Sequence, residues 1–534
     1  MSEGPPALAA PDAPWVPRYN PWLIAVVVAM AAFMEVLDTS IANVALPYIG
    51  GNLAASYDQS TWVLTSYLVS NAIVLPISGW LAVHFGRKRF FMMCLTIFTL
   101  SSLLCGFAPS LPLLLFFRVL QGVGGGGLQP MAQAILADTF PPEKRGLAFA
   151  LYGITAVMAP TIGPTLGGWI TFNYSWRWIF FINLPVGILA LLLVYRLIED
   201  PPYLSRLRAA AARLDYIGIS FLAIGIGALQ ILLDKGQEDD WFGSRFITTL
   251  VVISSVCLVS LVIWEWFRKD PIVDVRLFKN ANFASANVMM FIFGILLFAS
   301  LVLMPQFLQT LLGYTAELAG IVLSGGGVVL LIAMPIVGQL TTKIQAKYII
   351  AFGWLCLALS MYWSAYQVDL LISFRAATWI RIAQVAGMGF LFVPITLVAY
   401  VGIPGEKSNS VAGLINFMRN MGSSVGTSMV TTMIARRSQY HQTILVSHAS
   451  PLNPVFPGVV SGTAGQVARA GMDSYDALHQ AYGRIYAELQ AQAATLAYID
   501  VYKVLAVGAG IMFVVSFFLK KNNPRSGGKV IVHE

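Results

Sequence analysis

Apolar runs of about 20 residues recur along the whole chain, and each is long enough to cross a bilayer about 30 Å thick. The 534 residues are 57% hydrophobic and only 11% charged, whereas a soluble chain carries about 25% charged residues. A soluble core could not absorb this much apolar surface, because much of it would remain in water. The pattern therefore predicts an all-α membrane protein.

The apolar runs predict fourteen transmembrane helices. They lie near residues 22–43, 60–83, 90–107, 111–136, 148–171, 177–197, 214–234, 246–267, 283–312, 317–340, 347–366, 375–400, 409–435 and 499–519. The predicted domains are a disordered cytoplasmic N-terminus (1–21), a six-helix bundle (22–197), a cytoplasmic linker (198–213), two inserted helices (214–267), a second six-helix bundle (283–519) with an outer loop (436–498), and a cytoplasmic tail (520–534).

The distribution of cations sets the predicted orientation. Of the 33 Lys and Arg residues, 21 fall on one set of connections together with both termini, and 8 fall on the opposite set. Cytoplasmic loops carry the excess of Lys and Arg, so both termini are expected in the cytoplasm. The net charge of +8 is thus explained by membrane topology, and no nucleic-acid partner is expected.

A short internal repeat indicates two related halves. Arg118, Gln121 and Gly124 in the fourth predicted span share the pattern R-x-x-Q-x-x-G with Arg381, Gln384 and Gly387 in the twelfth. The second copy follows eight spans later, which preserves its orientation. Parallel repeats of this kind are found in transporters built from two six-helix bundles.

Charged residues inside the first and fourth spans are the main functional candidates. Glu35 and Asp38 are three residues apart, so they share about the same helix face, and intramembrane acids are functional by default. Asp38 and Arg118 have similar predicted depths, at about 1.5 Å of rise per residue, and are expected to interact directly or through Gln121 or water. Glu35, Asp38 and Arg118 are the predicted proton-coupling residues. In the alternative, Asp38 is a permanently ionised partner that only holds two helices together.

Polar, aromatic and methionine side chains elsewhere in the spans could line a substrate cavity, since such side chains suit varied apolar ligands. The candidates are Asn43, Trp62, Tyr67, Gln121, Gln129, Gln133, Met304, Gln306, Gln309, Asn416 and Arg419. They are also ordinary core residues. Arg419 lies about ten residues into its span. It is either a structural hydrogen-bond clamp on neighbouring carbonyls or a charge that lines the cavity and serves anionic substrates or gating.

Four motifs carry a resemblance to a known family. They are Leu37 to Pro47 in the first span, Gly79 to Arg89 between the second and third, Arg118 to Gly122 in the fourth, and Gly163 to Gly168 in the fifth. Together they resemble the fourteen-span drug:proton antiporters of the major facilitator superfamily. The residues expected to serve conformational change are Gly79, Gly86, Arg87, Gly163, Pro164, Gly167 and Gly168.

The resemblance implies the major facilitator fold and proton-driven multidrug export across the bacterial inner membrane. It also implies a tripartite efflux system with a periplasmic membrane-fusion adaptor and an outer-membrane channel. The expected partners are amphipathic drugs, protons and lipid, with no cofactor, no metal and no enzymatic activity. Transport of one defined metabolite or siderophore is the alternative.

One position departs from the family pattern. The loop signature normally has an acidic residue where this chain has Val83. In the family, that acid is thought to help latch the two halves on the cytoplasmic side. Its absence puts the latch in doubt, although Arg87, Lys88 and Arg89 could pair elsewhere or with anionic lipid.

The outer loop ends in a helical pattern with two interpretations. Leu478, Tyr482, Ile485 and Leu489 fall on one helix face. This face either packs as a cap on its own bundle or docks a periplasmic partner.

Overall fold

The computed structural model describes residues 17–201, 215–268, 270–450 and 452–519. Most of the predicted N-terminus 1–21 and linker 198–213, and all of the tail 520–534, lie outside the described residues. Within the described ranges the chain is helical and contains no β-strand.

Sixteen α-helices make up the described ranges. They are α1 (Pro21–Asn52), α2 (Tyr57–Phe85), α3 (Arg87–Phe107), α4 (Leu111–Thr139), α5 (Pro142–Asn173), α6 (Trp178–Phe181), α7 (Asn183–Leu197), α8 (Tyr216–Lys235), α9 (Arg245–Phe267), α10 (Ala281–Thr310), α11 (Ala316–Leu340), α12 (Ala346–Gln367), α13 (Phe374–Ala399), α14 (Ser408–His448), α15 (Phe456–Arg469) and α16 (Ser474–Ser516).

Thirteen helical segments in the described ranges are long and apolar enough to cross a membrane, with α6 and α7 together forming one of them. The remaining predicted span, 409–435, lies in α14 and is more polar. Helix α14 carries Asn416 and Arg419, both buried, together with the half-buried Asn420. Polar residues inside a membrane span usually face the interior of the helix bundle. Those of α14 contact other helices, as described below, so this helix is compatible with a span.

The helices pack in two repeated groups. In the first, α4 packs against α2 and α3, and α3 packs against α7; in the second, α13 packs against α11 and α12, and α12 packs against α16. The two groups meet where α2 contacts α14 and where α5 contacts α11. Helices α8 and α9 pair with each other, and α8 also touches α2 and α14. This arrangement accords with the predicted two bundles and two inserted helices.

The segment predicted as a long outer loop is mostly helical. Helix α14 continues past residue 435 to His448, α15 follows, and α16 already begins at Ser474. We call residues 436–450 and 452–498 the outer lobe. The sequence-based boundaries were placed where the apolar pattern ends, but a helix that leaves the hydrocarbon can continue in water.

The predicted apolar face of the outer lobe is only partly exposed, because Ile485 and Leu489 are half-buried while Leu478 and Tyr482 are exposed. Leu478 is 39% exposed and Tyr482 is 48% exposed, whereas the neighbouring Ala477 and Ala481 are 1% and 0% exposed. The small side chains therefore take the buried positions against the rest of the lobe. Leu478 and Tyr482 therefore lie outside the buried contacts of the lobe, and the choice between a cap and a docking face stays a prediction.

Candidate functional site

A buried ion pair joins the first and fourth helices. Asp38 Oδ2 of α1 lies 2.6 Å from Arg118 Nη1 of α4, and the two residues are 3% and 0% exposed. The contact predicted from their similar depths is present, and it is direct. A carboxylate and a guanidinium compensate each other's charge in a low dielectric, so both can lie among apolar helices.

Neutral groups add hydrogen bonds to this ion pair, although Arg118 Nη2 has no hydrogen-bond partner in the described ranges. Gln121 Nε2 donates to Asp38 Oδ1 at 2.9 Å, while Gln121 Oε1 accepts from Arg118 Nη1 at 2.8 Å. Asn183 Nδ2, at the start of α7, donates to Asp38 Oδ1 at 2.6 Å. The Val63 carbonyl of α2 accepts from Arg118 Nε at 3.0 Å. The ion pair thus fixes α1, α2, α4 and α7 against one another.

Glu35 lies in a second cluster beside the first. The Tyr67 hydroxyl donates to Glu35 Oε1 at 2.9 Å, and the ring centroid of Tyr67 is 4.4 Å from the Arg118 guanidinium carbon. Asn71 Nδ2 donates to Glu35 Oε1 at 3.0 Å, and Gln129 Nε2 donates to Glu35 Oε2. Among the described residues no cation forms an ion pair with Glu35, which is 2% exposed. Its hydrogen bonds come from neutral donors.

Gln129 connects this cluster to the second half of the molecule. Its Oε1 accepts from Arg419 Nη2 of α14 and from the Tyr152 hydroxyl of α5, the latter at 3.2 Å. One turn further along α4, Gln133 Oε1 accepts from Asn416 Nδ2 of α14 at 2.8 Å. A continuous set of buried polar contacts therefore runs from the ion pair on α1 to the helix that crosses the second half.

Arg419 is placed at the interface between the halves. It is 5% exposed, and its guanidinium is bonded to the Gln129 side chain. This contact is that of a clamp between α4 and α14. It differs from the predicted clamp in that its partner is a side-chain amide on another helix.

Five of the predicted cavity residues lie away from these clusters: Asn43, Met304, Gln306, Gln309 and Trp62. Asn43 is exposed on α1, and Met304 is fully buried in the apolar core. Gln306 is half-buried, and its Oε1 has no hydrogen-bond partner in the described ranges, while Gln309 is exposed near the end of α10. The reason is helical facing, which a single sequence without periodic polarity does not determine. Their role in a cavity stays a prediction.

Trp62 lines a separate polar cavity where α2 begins and α8 ends. The cavity measures about 340 Å³ and is lined by Asp58, Gln59, Trp62, Lys235, Glu238 and Asp239. Lys235 Nζ lies 5.6 Å from the Trp62 ring centroid and 2.5 Å from Glu238 Oε2. The cavity thus joins the first bundle to the inserted helices.

Arg87 is bonded to both halves at the opposite end of α2. Its Nη1 lies 2.6 Å from Asp138 Oδ2 of α4, and its Nε donates to Asn409 Oδ1 of α14 at 2.9 Å. Gly86, at φ +88°, makes the sharp turn between α2 and α3 that places this arginine. A contact between the halves therefore exists without an acid at Val83.

The glycine motif of α5 lets that helix approach α1 closely. A Cβ atom at Gly163 would lie 2.5 Å from Ser40 Cβ, and one at Gly167 would lie 2.9 Å from Ile41 Cγ2. By contrast, a Cβ at Gly168 would have only Val44 Cγ1 near it, at 3.9 Å. Close packing thus requires Gly163 and Gly167 but not Gly168. The adjoining Pro164 lies inside α5.

Gly79 of α2 serves a similar purpose near Arg87. A Cβ there would lie 2.9 Å from the backbone nitrogen of Ser410 in α14, so α2 and α14 are in close contact next to Arg87.

Several residues of the site were not predicted from the sequence. They are Asn71, Tyr152 and Asn183. Each is a polar side chain in or at the edge of an apolar run, and the rule that buried polar groups must be hydrogen-bonded would have marked them as candidates. Their partners depend on which helices are neighbours, which the sequence did not give.

Comparisons with known proteins agree with this architecture. Residues 28–427 match the Major Facilitator Superfamily. Multidrug export protein EmrB of Escherichia coli (strain K12) is 39% identical over 432 residues, or 81% of this chain and 84% of that protein. Fatty acid resistance protein FarB of Neisseria gonorrhoeae is 38% identical over 446 residues, or 83% of this chain and 86% of that protein. The solved structure of the proton:xylose symporter XylE has a TM-score of 0.60 over 96% of this chain and 98% of that one; at 15% identity it speaks for the fold alone.

Proposed function

This chain belongs to the major facilitator superfamily, and we propose that it exports several amphipathic drugs in exchange for protons. It is an all-α, multi-pass membrane protein, as the sequence predicted. In the proposal it lies in the bacterial inner membrane with both termini in the cytoplasm, which the distribution of Lys and Arg supports. The likeness to multidrug export proteins supports drugs as the cargo.

One observation carries the proposal. Two buried acids on α1 belong to a single set of polar contacts that reaches α14 across the interface between the halves. Alternating access moves one bundle against the other around a central site. A change of charge at Glu35 would therefore alter the hydrogen bonds of Gln129, including the bond to Arg419 that must rearrange when the halves move.

The two acids have different roles in this proposal. Asp38 already has a full cationic partner in Arg118. Glu35 has only neutral donors, so binding a proton there removes a buried negative charge that no direct ion pair compensates. Glu35 is the proposed proton-binding residue. The ion pair between Asp38 and Arg118 couples the charge of Glu35 to the packing of α1 against α4.

Exchange follows if a proton and a cationic drug cannot occupy this region together. A proton entering from outside discharges Glu35 and displaces the drug, and a drug arriving from the cytoplasm displaces the proton. Each proton that moves inward contributes about 2.3 kcal/mol per 100 mV of membrane potential, in addition to the pH gradient. The proposed substrate region includes Gln129, Gln133, Asn416 and Arg419 at the interface.

Transport by proteoliposomes tests these roles. A pH gradient, acidic on the outer-face side, should drive uptake of chemically unrelated dyes by the wild type. We expect Glu35→Gln to reduce gradient-driven uptake at least about tenfold, corresponding to about 1.4 kcal/mol, while drug exchange without a gradient continues. Asp38→Asn should reduce both activities, because it leaves Arg118 without its counter-charge.

The exposed acid Glu317, in the first turn of α11, supplies a matched control. Glu317→Gln removes one negative charge outside the site and should transport at the wild-type rate. Normal coupling by Glu35→Gln would refute its role as proton carrier, and normal coupling by Asp38→Asn would leave Asp38 as a purely structural partner. A response to only one dye would favour a transporter of one defined metabolite.

The proposal also includes an adaptor at the outer lobe. Leu478 and Tyr482 are exposed, and exposed apolar residues on one helix face suit a protein partner. In a tripartite system, a periplasmic membrane-fusion adaptor bound here would continue the export path to an outer-membrane channel.

The proposed domains remain two bundles at 22–197 and 283–519 with the inserted helices 214–267 between them, a division that the helix packing supports.

A further inference from the structure

The second half of the molecule contains a buried arginine that corresponds to Arg118. Arg381 lies on α13 and is 0% exposed. Its Nη1 donates to Ser300 Oγ of α10 at 2.9 Å and lies 3.5 Å from Gln384 Oε1. Gln384 Nε2 in turn donates to Ser364 Oγ of α12 at 2.9 Å.

The internal repeat extends to the partners of the two arginines. Arg118 meets Asp38 across 80 residues of chain, and Arg381 meets Ser300 across 81. Each arginine also contacts the glutamine three residues after it. The one partner that differs in charge is the acid, because the second half has the hydroxyl of Ser300 where the first has the carboxylate of Asp38.

The charge of Arg381 is consequently not balanced within the described residues. No described carboxylate lies within ion-pair distance of it, and its Nε and Nη2 have no hydrogen-bond partner in those ranges. Arginine stays protonated in proteins, and a buried charge without a partner is strongly destabilising. In membrane spans such residues pair with an opposite charge or mark an ion pathway.

We propose that Arg381, together with Gln384 and Ser300, binds a small monovalent anion. The ligand is a halide or the carboxylate end of an acidic molecule, since in the first half a single carboxylate completes the corresponding group of residues. Free Nε and Nη2 donors point to this ligand, because charge-assisted hydrogen bonds to an anion would satisfy both. Tyr502 of α16 is also fully buried and close to Arg381 and Gln384, and its hydroxyl can serve as a further donor. The proposal does not depend on the identity of the exported drug.

The test is the thermal stability of the purified full-length protein as a function of anion. Sodium chloride, bromide and benzoate are each titrated against sodium sulfate at equal ionic strength. Because a ligand that binds the folded state stabilises it by mass action, we expect a saturable rise in Tm of the wild type. A rise with halides alone identifies an inorganic anion site, and a rise with benzoate that competes with chloride identifies a carboxylate site.

Two variants separate binding at Arg381 from a general salt effect. Ser300→Asp supplies the acid that the first half has, so it should raise Tm in sulfate and abolish the chloride response. Ser300→Asn is its matched control, similar in size but neutral, and should retain a chloride response. Arg381→Gln, which removes the charge, should also lose the response even if Ser300→Asp folds poorly. An equal chloride response in wild type and Arg381→Gln, or none in the wild type, would overturn the proposal.

Discussion

At the scale of single residues, two acids three positions apart on one helix have different electrostatic surroundings. Asp38 contacts a guanidinium directly, whereas Glu35 is held by a phenol and two amides. The same helix face therefore carries one acid in a direct ion pair and one whose hydrogen bonds come only from neutral groups. This difference, rather than the mere presence of acids in a membrane, assigns them separate roles in the proposed exchange.

A residue-scale prediction concerns the contact between Arg87 and Asp138. The side chains of Arg87 and Asp138 are 2% and 9% exposed, so Asp138→Asn leaves a buried cation without its carboxylate. Such a change costs about 3 kcal/mol or more. Thermal unfolding in detergent should show a marked loss of stability.

Asp200 provides the control for that change. It is exposed and accepts a hydrogen bond from the backbone nitrogen of Lys88 at 2.7 Å. Asp200→Asn should change stability by less than about 1 kcal/mol. Equal losses in the two variants would contradict the view that Asp138 matters through burial.

The sequence revealed the ion pair but not its surroundings. Asp38 and Arg118 were predicted to meet because depth in a membrane can be counted from helix rise. Asn183 contacts the same carboxylate, but only because α7 packs beside α1, a neighbour relation that no counting gives. Gln309 was placed in the cavity on polarity alone; it is exposed near the end of α10, and its role in a cavity stays a prediction.

At the scale of elements, the contact between α1 and α5 positions the acids. Gly163 and Gly167 bring α5 against the segment of α1 that directly follows Asp38. Close approach of helix backbones at small residues is the usual source of tight packing in membranes. The motif was recognised in the sequence. Only the structure shows that α1 is the helix it contacts and that Gly168 is not needed for this contact.

The element-scale prediction compares two glycines of this motif. Gly163→Ala places a methyl group against Ser40 Cβ, which no side-chain rotation can relieve, so α5 must move away from α1. Overpacking of this kind costs about 1–3 kcal/mol. Lower thermal stability and slower transport are expected.

Gly168→Ala adds the same methyl group where the nearest atom is 3.9 Å away. Because alanine favours a helix over glycine by about 1 kcal/mol, stability should be unchanged or slightly higher. Equal damage by both substitutions would mean that helix flexibility, rather than contact with α1, is what the motif supplies.

At the scale of the whole molecule, two bundles were predictable because apolar runs and the repeated R-x-x-Q-x-x-G motif mark them. In the outer lobe, the helical pattern from Leu478 to Leu489 was recognised and lies in α16. The continuation of α14 to His448 was not recognised, since helices outside the membrane leave no long apolar signal. Leu478 and Tyr482 of this lobe are exposed, and they form the contact proposed for an adaptor.

Replacing both residues, by Leu478→Lys and Tyr482→Lys, tests the proposed adaptor. Drug export from intact cells should fall several-fold, because interface anchors dominate binding energy. Transport in proteoliposomes, which contain no adaptor, should stay at the wild-type rate. Glu488→Lys, on another exposed face of α16, is the control, and a loss in proteoliposomes would count against docking.

Helix α14 is unbroken over its 41 residues, a rod about 60 Å long at the rise of an α-helix. Its inner end is tied to Arg87 through Asn409, its middle to Gln129 through Arg419, and its outer end enters the lobe. A straight helix held at three levels moves as one unit. Under the proposed alternating access, a tilt of α14 that breaks the contact between Asn409 and Arg87 would also displace its other end, so the outer lobe would move in each transport cycle.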